Sequence, residues 1–151
     1  MDEQSVAWPS VEPSYRLRPP ATDDAVPLDA LAAVLDATPR RAERLSLRLA
    51  VGRRMDLLGP RREALEALSG HDDVTVADDH TIGTLALTGE SFDALVDLRD
   101  DIDRVVVWDP DGVAIADWRD GVLRFALPDD AVEGVRAGLD GAVADRIEPV
   151  A

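Results

Sequence analysis

The sequence predicts an α/β protein of the α+β type, a β-α-β-β-α-β core carrying an added hairpin and a last helix. Three observations predict it. Leu45, Leu47, Leu49 and Val51 alternate with Arg44, Ser46, Arg48 and Ala50, the period of a half-buried strand. Two stretches, 60–69 and 90–98, place apolar residues three and four apart, the period of a helix packed on one side. Short apolar runs around Val74, Ile82 and Val105 are bounded by Asp and Gly, as strands are.

Taken in order, residues 1–27 hold five of the ten prolines and no apolar period, which predicts a disordered tail. Trp8 and Tyr15 are its aromatics, and such residues rest on their own domain more often than they serve as docking motifs. A domain is expected over 28–148, with a short tail at 149–151. Leu28, Leu31, Val34 and Leu35 predict a first helix. The first strand follows at 44–51, although Ala42, Leu45 and Leu49 also share a helical face. On that second parse a helix starting at Thr38-Pro39 makes 28–49 a helix-turn-helix-like pair. Gly59-Pro60 opens the next helix, with Pro tolerated in its first turn, Ala64, Leu65 and Leu68 on its buried side, and Gly70 as its cap. Val74 and Val76 begin a second strand, Asp78-Asp79 a turn, and Ile82, Leu85 and Leu87 a third strand. Phe92, Leu95, Val96 and Leu98 mark a helix, and Val105 to Trp108 a strand covered on both faces. Order and lengths from Arg44 to Trp108 are those of the ferredoxin-like arrangement, with both helices on one face of an antiparallel sheet. Asp109-Pro110-Asp111-Gly112 is a turn by composition. Arg119-Asp120-Gly121 suits a three-residue hairpin loop between strands at 113–118 and 122–127. A last helix follows Pro128, with Asp130 and Glu133 at capping-box spacing and Val132, Val135, Leu139, Val143 and Ile147 on one face. Gly134, Gly138 and Gly141 share a stripe of it. Each interior glycine costs roughly 1 kcal/mol against Ala, which a close approach by another backbone would explain.

The composition fits one domain: 151 residues, 46% apolar and only six aromatic, so the core is built from Leu, Val, Ile and Ala. No apolar run approaches the roughly 18 residues of a membrane span, and the acidic start predicts no signal peptide. With no cysteine, disulfides, thiolate catalysis and sulfur-ligated metals are excluded. The expected location is the cytoplasm. Charge is the strongest feature: 31 acids, 23 of them Asp, face 16 bases that are all Arg, with no Lys or Asn, for a net −15. This composition resembles that of proteins from extreme halophiles, whose dense carboxylates keep them soluble in molar salt. A GC-rich genome explains the missing Lys but not the net charge.

Few residues could carry chemistry. The chain has no nucleophile elbow, phosphate loop or dinucleotide fingerprint. Without Lys there is no Schiff base. His71-Asp72-Asp73 and Asp78-Asp79-His80 flank a strand whose ends stand roughly 16–20 Å apart, too far to share an ion. Asp109-x-Asp111-Gly112 begins like a calcium loop, but Val113 stands where a ligand belongs and no Glu closes it. No catalytic residue, metal or cofactor is expected. One segment runs against the trend. From Arg40 to Arg62, eight Arg face Glu43 and Asp56, giving +6 there and −21 elsewhere in a chain of net −15. Arg53 and Arg54 leave the first strand, and Arg61 and Arg62 stand in the first turn of the next helix. Cations there oppose the helix dipole, whereas an anion is attracted both by free N–H groups and by the guanidinium fork. Internal counter-charge to the many acids is the competing explanation.

Four functions follow, in this order. The first is a non-enzymatic regulatory or ligand-sensing domain that binds a small anion or an acidic protein partner through Arg53, Arg54, Arg61 and Arg62. Its strand and helix order is similar to that of ACT-type ligand-sensing domains. That resemblance implies a ligand loop between the first strand and the first helix, here Gly52 to Pro60. The second is a nucleic-acid-binding regulator using Arg40–Arg62, opposed by the acidic remainder and by salt, which removes the counterion-release drive. The third is an assembly protein, such as a homodimer, paired through the hairpin edge or through Gly134, Gly138 and Gly141. The fourth is an enzyme using Asp, Glu and Arg. No membrane partner is expected. Because screening shortens from about 10 Å at 0.1 M salt to about 3 Å at 1 M, circular dichroism should show loss of structure as KCl is lowered. Full folding at 0.1 M contradicts the halophile reading.

Overall fold

The computed structural model describes residues 6–19 and 27–150. Their alternation and capping pattern produces one antiparallel sheet of eight strands with five helices. The strands are β1 (Tyr15–Leu17), β2 (Arg44–Leu49), β3 (Val74–Val76), β4 (Thr81–Ala86), β5 (Ile102–Trp108), β6 (Ala114–Arg119), β7 (Val122–Phe125) and β8 (Ile147–Pro149). The helices are α1 (Leu28–Ala37), α2 (Pro60–Ser69), α3 (Gly89–Asp97), α4 (Asp129–Ala137) and the single turn α5 (Gly141–Ala144). Among the described residues, no helix is long and apolar enough to cross a membrane.

The sheet runs β3-β4-β2-β5-β6-β7-β1-β8. As a whole it differs from the four-stranded core expected, because β6, β7, β1 and β8 continue the sheet past β5. Residues 44–49 are strand β2, paired with β4 and β5 on either side. The helix-turn-helix parse of 28–49 therefore fails. As a strand the segment buries Leu45, Leu47 and Leu49 on one face, whereas a helix would turn Leu47 away from the other two.

Cross-strand partners share a face, so the register sorts the side chains. Leu45, Leu47 and Leu49 lie with Val105, Val107, Trp118, Leu123 and Phe125 in one cluster. Leu31 and Val34 of α1, Leu68 of α2, Leu95 of α3 and Val135 of α4 join the same cluster. The four longer helices thus pack on one face, α2 against α3 and α1 against α4. Gly83 is required here, since a Cβ on it would stand 2.5 Å from the carbonyl oxygen of Asp73, just before β3.

Residues 1–27 were expected as a disordered tail, and the described part of them is not one. Tyr15–Leu17 inserts between β7 and β8. Tyr15 stacks on Phe125 with centroids 5.9 Å apart, and its hydroxyl donates to Asp129. Ser14 ties the join: its N–H donates to Phe125 O, its hydroxyl to Leu127 O, and its carbonyl accepts from Val150. Upstream, the chain lies on the face that the helices leave open. There the Ser46 hydroxyl donates to the Ala7 carbonyl, Val6 is buried, and the Trp8 ring sits 4.5 Å from the Arg104 guanidinium carbon. A cation–π contact of this kind contributes about 0.5–2 kcal/mol. Residues 1–5, 20–26 and 151, also assigned to tails, lie outside the described residues.

The C-terminal part differs from expectation too. Asp120 and Gly121, both at positive φ, make a two-residue turn, with Arg119 paired to Val122, so the loop is shorter than the three residues expected. The last helix stops at Gly138, resumes for one turn capped by Asp140, and gives way to β8 where the helix was expected to carry Ile147 and a tail to begin at 149. Glycine and Asp are poor helix formers, and the break frees 147–149 to pair with β1. Asp130 and Glu133 form no capping box. Thr88 and Ser91 do form one, at the start of α3.

A chain lacking residues 1–23 should melt many degrees lower, because it loses β1 and leaves the facing edges of β7 and β8 unpaired. An unchanged thermal midpoint would mean that this segment adds nothing to the sheet.

Candidate anion-binding site

The loop from β2 to α2 is held open by local constraints. Arg53 N–H donates to Ala77 O at 2.8 Å and Arg54 N–H to Asp78 O at 2.9 Å, which fastens the loop to the β3–β4 turn. That approach requires Gly52, since a Cβ there would lie 2.3 Å from the Ala77 oxygen. Gly59, at φ 60°, makes the left-handed step that Pro60 needs to begin α2.

The four expected site residues are not brought to one point. Arg53 and Arg62 line a cleft of about 790 Å³ between this loop, α2 and edge strand β3. Its lining also includes Leu57, Leu65, Val74 and Val76, and the acids Asp56 and Glu66. Arg62 pairs with Glu66 at 3.2 Å, one helical turn away, and both side chains are exposed. Arg54 pairs with Asp78 at 3.3 Å, also in solvent. Arg61 reaches Asp101 at 2.7 Å. Exposed pairs of this kind are each worth about 0–1 kcal/mol, so they hold these cations loosely.

Other sequence candidates resolve simply. Asp109 is a turn residue: Oδ1 accepts from Asp111 and Val113 N–H, both at 2.9 Å, and Oδ2 from Arg40 at 2.9 Å. The Val113 N–H foremost, and after it Arg40 and the Asp111 N–H, holds its carboxyl below the ordinary 3.8, against a desolvation penalty. His80 pairs with Asp79 at 2.8 Å, and among the described residues no group of three or more His, Asp or Glu could hold a metal ion. Among the described residues, and apart from their own helix, nothing stands within 4 Å of a Cβ built on Gly134 or Gly141, and Gly138 meets only the carbonyls of Gly134 and Val135. The close approach expected of that stripe is not made within the chain. The hairpin edge is closed as well, because β7 pairs with β1.

Sequence reading missed the helix-free face of the sheet. Arg48, Arg104 and Arg119 are direct cross-strand neighbours on β2, β5 and β6. In the next row Asp117 pairs with Arg124, which in turn faces Arg16. The Asp117 side chain is 6% exposed, and its Oδ1 stands 3.8 Å from Arg104 Nε with no hydrogen bond. Burial raises its pKa, opposed by Arg104, Arg119 and Arg124. Like charges directly opposite across a ladder are destabilising, and acids beside the row offset this: Asp103 at 3.7 Å from Arg48, Asp117 at 3.8 Å from Arg104 and Asp120 at 3.7 Å from Arg119. Every-other-residue reading of Arg44 and Arg48, and of Arg104 and Trp108, was the signal available.

Compared with known proteins, the chain matches no family model, no curated sequence and no solved structure.

Asp109 sets a pH dependence. A carboxylate whose folded pKa is depressed adds stability above its unfolded pKa, near 3.8, and loses it as pH falls through the lower folded value. Asp109→Asn should therefore melt below the wild type at pH 7. Thermal scans should show the gap closing as pH drops below that value. A gap independent of pH would assign the loss to packing.

Proposed function

We propose that this chain is a non-enzymatic ligand-sensing domain that binds a small amphipathic anion in the cleft between the 52–59 loop, α2 and β3. The observation that carries the reading is the cleft itself, lined by Arg53 and Arg62 and by Leu57, Leu65, Val74 and Val76, with Asp56 and Glu66 also in its lining. A guanidinium fork takes carboxylate or phosphate, and apolar walls with a few placed polar groups are what small-molecule sites use. Arg54 and Arg61 stand outside the cleft, next to their own acids, and serve as counter-charges.

Segment 44–108 supports the reading as a ferredoxin-like unit, since β3-β4-β2-β5 is antiparallel throughout with α2 against α3. In that reading the cleft loop joins the unit's first strand to its first helix, the position of the ligand loop in ACT-type domains, to which the order is similar. The acidic remainder of the surface belongs to a proposed halophilic adaptation, in which the ligand is bound in molar salt through short-range contacts. The nucleic-acid reading loses its helix pair to β2, and the assembly reading loses its hairpin edge to β1.

Calorimetry in 1 M KCl against inorganic phosphate, citrate and an adenine nucleotide tests the proposal. At least one of the three should bind, and Arg53→Ser with Arg62→Ser should weaken it about tenfold or more, the loss of roughly 1.4 kcal/mol. The double variant should melt within a few degrees of the wild type, because both side chains are exposed or loosely paired. Binding that survives the double change, or a wild type that binds none of the three, overturns the site.

A further inference from the structure

A second site, independent of the cleft, lies on the face opposite the helices. We propose that this face is a docking surface for an extended acidic peptide segment bearing an aromatic residue, and that the chain's own residues 6–14 are its built-in cover. The one-sided packing of the helices leaves this face to Arg16, Arg44, Arg48, Arg104, Arg119 and Arg124. Among the described residues these six arginines meet four acids: Glu148 beside Arg16, Asp103 beside Arg48, Asp117 beside Arg104 and Asp120 beside Arg119.

What is already seated there indicates what it recognises. Residues 6–14 cross from β2 to β7, held by a main-chain carbonyl on Ser46, by an aromatic ring on Arg104 and by the Ser14 join. The occupant is therefore an extended peptide with a tryptophan. Its fit is incomplete. Among the described residues, Arg104 Nε, Arg124 Nη1 and Trp108 Nε1 are buried donors without a hydrogen-bond acceptor, and Asp117 Oδ1 is a buried acceptor without a donor, 3.8 Å from Arg104 Nε. Three of these four belong to one group, in which Arg104, Arg119 and Arg124 surround Asp117. Asp120 approaches Arg119 only at 3.7 Å and stands in solvent. Three guanidinium groups around one carboxylate leave room for a second carboxylate, which accepts where residues 6–14 offer nothing.

Charge selects a short peptide over a polynucleotide. Every phosphate of a long strand would meet the field of the other acids, whereas a segment with two or three carboxylates meets only the arginines. Displacing residues 6–14 would also change the surroundings of Trp8, so occupancy of the face reports on a segment continuous with β1.

The test uses the full chain and two labelled pentapeptides, Glu-Glu-Trp-Glu-Glu and Gln-Gln-Trp-Gln-Gln, with an oligothymidylate of equal charge as a third probe. Fluorescence anisotropy should give about tenfold tighter binding of the Glu peptide than of the Gln peptide, the scale of one good charge pair. Arg104→Gln with Arg124→Gln should remove that preference. Trp8→Ala should strengthen binding of the Glu peptide, because the cover is loosened. If that variant does not fold, Ser46→Ala, which gives up one hydrogen bond to the cover, should act in the same direction. Equal binding of the two peptides, a preference that survives the double Arg change, or tighter binding of the oligothymidylate overturns the proposal. None of these outcomes depends on Arg53 or Arg62, so the cleft and this face stand or fall separately.

Discussion

An antiparallel sheet has two faces, and in this protein the helices cover one of them. That imbalance sets the rest of the structure. On the covered face, Leu45, Leu47, Leu49, Val105, Val107 and Phe125 supply the apolar surface that drives folding. On the other, the same strands must carry side chains that tolerate water, and here they carry arginine. The long guanidinium stem shields backbone and neighbouring apolar atoms while its head stays hydrated. Val106 shows why shielding is needed: it points away from the helices, yet it is fully buried. Its cross-strand neighbour Ser46 holds Ala7, so residues 6–8 lie over that spot.

This arrangement explains how a run of bases in sequence is dispersed in space. Arg44 and Arg48 go to the helix-free face with β2. Arg40 turns to Asp109, Arg54 to Asp78 and Arg61 to Asp101. Arg53 and Arg62 remain at the cleft. Arg62 pairs with Glu66 as well, and Arg48 stands 3.7 Å from Asp103. Buried donors without acceptors cost roughly 1–3 kcal/mol each, and those among the described residues gather on the helix-free face, where Arg104 lies against Trp8. Such a cost is tolerated where a site needs unspent hydrogen-bonding capacity.

Much of the middle of the fold was legible. Leu45, Leu47 and Leu49 give β2 through their period, and Pro60 with Gly70 bounds α2. Elements whose partners lie far along the chain were not. Tyr15-Arg16-Leu17 is three residues long and sits among prolines, and its strand character comes from β7 and β8, more than a hundred residues away. The Gly138 to Asp140 break read as a stripe on a continuing helix, because helical spacing takes no account of the next strand's need for a partner. At the site, closeness in sequence stood in for closeness in space. That placed Arg53 and Arg62 correctly on the loop and on the first turn of the helix. It missed the row of Arg48, Arg104 and Arg119, which only strand pairing assembles.

The central claim is that residues 6–17 complete the sheet and cover its arginine face. Amide hydrogen exchange of the full chain, followed by mass spectrometry in molar KCl, tests it most directly. Peptides covering Tyr15–Leu17 should exchange as slowly as those covering Val122–Phe125, the strand they pair with. Exchange of 15–17 at the rate of an unstructured peptide, with 122–125 still protected, would contradict it.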